Sequence, residues 1–97
     1  MIPYSFHPEA EAELFEAASH YESQLTGLGQ AFTAEAERII SLLCAYPDVG
    51  SPLGSRRRRM SMDRFPYAIV YQRDPKSLLI IAVAHFRRRP KYWRRRK

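Results

Sequence analysis

His85 closes the most apolar stretch of the chain, Leu78 to Phe86 (LLIIAVAHF), and Arg87, Arg88 and Arg89 follow at once. An imidazole can take or give a proton near neutral pH, and neighbouring guanidinium groups can stabilise a phosphate as a ribose 2′-hydroxyl attacks it. That combination is ribonuclease-like chemistry. The same residue also reads as a histidine that closes a strand by hydrogen bonding to backbone.

Other cations gather nearby in sequence: Arg56 to Arg59, Arg64, Lys91, and the closing Arg94-Arg95-Arg96-Lys97. On a strand, alternation sends such a run to both faces. Arg57, Arg59, Arg87 and Lys91 are therefore candidate phosphate contacts, against the alternative of a solvated basic surface or, for 94–97, a solvated tail. Tyr92 and Trp93 put aromatic faces beside cations, which suits base stacking and equally suits docking a tail on a sheet. Tyr67, Ile69 and Tyr71 share one strand face and read first as core, then as a stacking platform. Asp63 is the one carboxylate among these arginines, and there is no glycine-rich phosphate loop, nucleophile elbow or carboxylate pair. His7, His20 and His85 are scattered and Cys44 has no ligand-spaced neighbour, so neither a metal nor a cofactor is expected.

These residues need a scaffold of modest size. A chain of 97 residues that is 45% hydrophobic and 27% charged has material for one domain and one core. The net charge of +6 is unevenly laid out. Residues 1–50 hold one basic residue against eight acidic, net −7, and residues 51–97 hold fifteen against two, net +13. The second half should attract polyanions or acidic partners. A single cysteine points to a reducing, cytoplasmic setting, and no run of about 18 apolar residues suggests a membrane span.

Ile2 to Phe6 suits a short strand, and His7-Pro8-Glu9 a helix start with acids in its first turn. Ala10, Leu14, Ala17, Ala18, Tyr21 and Leu25 form one apolar stripe. Gly27 and Gly29 break the pattern before a second helix, Leu28 to Tyr46, whose stripe is Leu28, Phe32, Ala36, Ile39, Ile40, Leu43 and Tyr46, with Cys44 a small buried side chain. Pro47 to Ser55 reads as an ordered loop. The period then becomes two: Arg56 to Met62, Phe65 to Arg73 and Leu78 to Phe86 are strands, the last pair a hairpin around Asp74-Pro75-Lys76-Ser77. The expected fold is α+β in the order β-α-α-β-β-β, a helical hairpin on one face of a mixed four-stranded sheet with the other face partly open and basic.

Three segments resemble the RelE/ParE superfamily of type II toxin–antitoxin toxins: Tyr4-Ser5-Phe6-His7-Pro8-Glu9-Ala10 with Glu13-Leu14, Phe65 to Tyr71 (FPYAIVY), and Ala82 to Trp93 (AVAHFRRRPKYW). The resemblance implies a single toxin domain over 1–97, with 90–97 a basic tail, that arrests growth and is neutralised by a cognate antitoxin laying an acidic segment on the basic face. It is similar to proteins known for plasmid stabilization. RelE-like members cut mRNA on the ribosome without metal, whereas ParE-like members block DNA gyrase. The first points here to His85 as proton acceptor or donor, Arg64 and Arg88 as phosphate stabilisers and Tyr92 as stacking or proton-shuttling group. The Arg that precedes that Tyr by six positions in the RelE pattern is Phe86 in this chain. The ribosome-dependent endoribonuclease is the first expectation, a gyrase inhibitor the alternative, and an RNA-binding module without toxicity the third.

Overall fold

The computed structural model describes residues 1–97. His7 caps the first helix, α1 (Pro8–Gln24): its Nδ1 accepts the Glu9 N–H at 3.1 Å, and Glu9 and Glu11 lie in the first turn beside the positive end of the helix dipole. Gly27 takes φ 92°, and the Glu22 carboxylate accepts the N–H groups of Gly27 at 2.9 Å and Gly29 at 3.0 Å, closing the turn. Those bonds hold the Glu22 carboxyl below its ordinary pKa. The second helix, α2 (Leu28–Ala45), returns against the first, as the short turn requires. Both stripes stop one residue early. Leu25 and Tyr46 cap the helices and are exposed, not packed, because the chain has already left helical geometry at each.

The sheet has five strands where four are expected, in the order β1-β5-β4-β3-β2. They are β1 (Tyr4–Phe6), β2 (Ser51–Leu53), β3 (Arg57–Ser61), β4 (Tyr67–Asp74) and β5 (Ser77–His85). The extra strand lies inside the expected loop. Pro52 hides it, since proline is tolerated only on an edge, where its missing N–H faces solvent. That loop is ordered by Tyr71, whose hydroxyl accepts the Gly50 N–H and donates to the Pro47 carbonyl. A side chain at Gly50 would meet the Tyr71 hydroxyl at 2.6 Å.

β1 runs parallel to β5 and every other pairing is antiparallel. The helical hairpin covers one face, where Leu14, Phe32, Ile39, Ile40, Leu43, Cys44, Ile69, Tyr71, Leu78 and Ile80 form the main core. On the opposite face Val70, Ile81, Ala82 and Trp93 form a second, smaller cluster. An irregularity divides β5. Tyr71 pairs with Ile80 and Val70 with Ala82, so Ile81 is an extra residue, a β-bulge. Beyond it the alternation is inverted, which turns Val83 and His85 toward the helices and Ala84 and Phe86 toward the open face.

Candidate functional site

Alternation on β3 distributes the arginine run as expected. Arg57 and Arg59 project on the open face, while Arg58 turns to the other side and donates to the carbonyls of Asp48 at 3.0 Å and Gly50 at 2.8 Å. Arg56, at the strand's start, pairs with Asp74 at 2.8 Å. One guanidinium of the four, that of Arg59, opens onto a groove.

The groove, of about 550 Å³, runs along the open face. Leu53, Ala68, Val70 and Ala84 line its apolar floor, Phe86, Tyr92 and Trp93 its walls, and Arg59, Arg88, Arg89 and Lys91 its cationic rim. Of the nine candidate site residues, His85, Arg88, Tyr92, Arg59, Lys91 and Trp93 meet here. Arg64, Arg57 and Arg87 do not. Arg64 sits on the β3–β4 loop with its guanidinium 5.7 Å from the Phe65 ring centroid, and its N–H donates to Glu35. Arg87 is absent from the lining, which takes Arg88 and Arg89 from that triplet.

Residues 90–97 are folded onto the sheet and not a free tail. Trp93 is 7% exposed, with the Arg57 guanidinium 5.6 Å from its ring centroid. Arg57 donates to the carbonyls of Trp93, Arg94 and Arg96, so the docking alternative holds for Trp93 and Arg57 serves the tail. Burial, and then the charge of Arg56, push the Arg57 pKa down. Arg96 is 10% exposed and makes a two-pronged bond to Glu13.

Glu13 is the residue that sequence reasoning assigned no role in the site. Its Oε1 accepts the Val83 N–H at 3.0 Å and Arg96 at 2.9 Å, and its Oε2 accepts the Tyr92 hydroxyl at 2.8 Å and Arg96 at 2.9 Å. One carboxylate thus ties α1, β5 and the tail together. The signal was available: Glu13 lies three residues after Ala10 and four before Ala17, on the edge of the apolar stripe. Glu35 was missed likewise. It is buried in the α2 stripe and accepts the N–H groups of Asp63 and Arg64, holding the β3–β4 loop.

These contacts decide what chemistry the groups can do. His85 Nδ1 accepts the Arg87 N–H at 3.0 Å, and a backbone N–H can only donate, so the neutral ring carries its proton on Nε2. The imidazole presents a donor, not a base. It also stacks edge-on against Tyr67 at 4.9 Å and borders a smaller cleft of about 240 Å³ on the helix side with Glu13, Glu16 and His20. The Tyr92 hydroxyl is given to Glu13, and burial first, then that bond, push its pKa well up. Arg88 lies 3.8 Å from the Tyr92 ring centroid and remains half exposed. The groove is equipped to bind an anionic or acidic surface with an apolar component.

Comparison with known proteins agrees with this geometry. Residues 4–90 match the family model described as the ParE toxin of type II toxin–antitoxin systems, parDE. Among nine matching solved chains is one from the chromosomal ParDE toxin–antitoxin system of P. aeruginosa. The two superpose with a TM-score of 0.70 at 21% identity, over 88% of this chain and 96% of that one. No curated protein matches the sequence significantly. No helix is long and apolar enough to cross a membrane.

Proposed function

We propose that this chain, which belongs to the ParE toxin family of type II toxin–antitoxin systems, arrests growth by binding DNA gyrase through its basic groove, without chemistry on nucleic acid. The observation that carries the reading is the commitment of the proton-transfer candidates. His85 spends its acceptor nitrogen on the Arg87 N–H and Tyr92 spends its hydroxyl on Glu13. Cleavage of mRNA by general acid and base would require both to leave these partners. Arg64 lies on the β3–β4 loop outside the groove lining, so the four expected catalytic residues do not form one constellation. The gyrase reading therefore replaces the endoribonuclease as the better supported mechanism.

In this reading the whole of 1–97 acts as one toxin domain in the cytoplasm. Arg59, Arg88, Arg89 and Lys91 meet acidic groups, and a cognate antitoxin neutralises the toxin by laying an acidic segment over the same rim. The test is direct: purified toxin is added to DNA gyrase in a supercoiling assay and, separately, to ribosomes translating a defined mRNA. Loss of supercoiling with intact mRNA is expected. Cleaved mRNA with unaffected supercoiling would overturn the reading.

A further inference from the structure

We infer that Phe86 is the anchor by which the toxin recognises its target, a half-exposed aromatic wall of the groove that packs against an apolar patch with an acidic rim on a folded protein. The inference rests on the gyrase reading of the groove and assigns the residue that selects the partner. Phe86 is 52% exposed, and of the large apolar side chains left open it alone borders the groove.

Its presentation is rigid. The Phe86 N–H donates to the Pro66 carbonyl at 2.9 Å, and the turn that follows is closed by Arg88 N–H to His85 C=O at 3.0 Å. The Arg59 guanidinium lies 5.8 Å from the ring centroid, within cation–π range. A side chain already held, with two rotatable bonds, loses little entropy on binding. The β-bulge at Ile81 is what sets it on the open face; uninterrupted alternation from Leu78 and Ile80 would bury position 86. An aromatic beside arginines is the composition of an interface hot spot.

The partner is the folded protein of the gyrase reading, and charge selects the surface it offers. The surrounding Arg59, Arg88, Arg89 and Lys91 add charge complementarity to an acidic rim.

The experiment uses the full chain in the supercoiling assay, comparing wild type with Phe86→Ala and Phe86→Leu, with urea unfolding and binding to a short DNA duplex measured on each. Phe86→Ala is expected to need roughly 30-fold more protein for half inhibition, the loss typical of a hot-spot anchor, while Phe86→Leu retains most activity. The unfolding midpoint and duplex binding should stay at wild-type values, because an exposed ring carries neither. Inhibition by Phe86→Ala within about threefold of wild type would overturn the anchor and leave the gyrase reading intact. A parallel loss of duplex binding would overturn it too, by assigning the ring to nucleic acid. No inhibition by wild type would overturn the gyrase reading and the anchor with it.

Discussion

The Glu13 carboxylate grips the Arg96 guanidinium through two bonds of 2.9 Å, joining the second turn of α1 to the segment that follows β5. At 14% and 10% exposure the pair is largely desolvated and further held: Arg96 also donates to the Ile81 carbonyl and its Nε lies 3.8 Å from Glu9, and Glu13 accepts from Val83 and Tyr92. The hydrogen bond to Glu13 raises the Arg96 pKa. Two walls of the groove, Tyr92 and Trp93, stand where they do because this clasp is shut.

Removing one partner of such a pair leaves an uncompensated buried charge, at a cost of about 3–5 kcal/mol. Glu13→Ala should therefore lower stability to urea by that order. Glu13→Gln combined with Arg96→Met should cost less than the two single changes together, since no charge is stranded. An additive double-mutant cycle would refute the clasp.

Tyr92 makes the alkaline limb of stability informative. Its folded pKa lies above the unfolded value of about 10, because burial and the Glu13 hydrogen bond both favour the neutral phenol. The stabilisation is thus complete below the unfolded pKa and is lost as pH rises through the folded one. Tyr92→Phe should remove a late phenolate step from the ultraviolet titration and flatten the fall of stability above pH ~10. An unchanged titration would contradict the buried hydroxyl contact.

Neighbouring arginines should behave differently although sequence treats them alike. Arg59 opens onto the groove, so Arg59→Ala should weaken binding to a DNA duplex and reduce the salt slope by about 1, with unfolding unaffected. Arg57 caps three tail carbonyls, so Arg57→Ala should lower stability by roughly 1–3 kcal/mol and speed amide exchange in residues 92–96. Equal effects of the two changes on stability would rule out this division.

Much of the scaffold was legible because its signals are periodic. The stripe from Phe32 to Leu43, the glycines at 27 and 29 and the alternation from Tyr67 to Tyr71 each marked their element. The three-residue β2 was not legible, since Pro52 in a turn-rich stretch reads as loop and only pairing with β3 makes it a strand. The bulge at Ile81 was hidden for another reason. In LLIIAVA every residue is apolar, so no polar alternation marks the slip, and the slip turns Phe86 to the open side and His85 toward the helices, leaving His85 at the border of both clefts. Of the residues that composition singled out, Arg59, His85, Arg88, Lys91, Tyr92 and Trp93 border one groove. Composition could not tell which of these groups were already spent on backbone carbonyls, the Arg87 N–H or Glu13.

The central claim, arrest without proton transfer by His85, is tested most directly by inducible expression with pulse labelling of DNA and protein synthesis in wild type and His85→Asn. Asparagine can still accept the Arg87 N–H but cannot exchange a proton at neutral pH. DNA synthesis should stop first in both, with translation continuing and arrest by His85→Asn matching wild type. Translation stopping first, and relieved by His85→Asn, would contradict the account and make the protein a ribosomal nuclease.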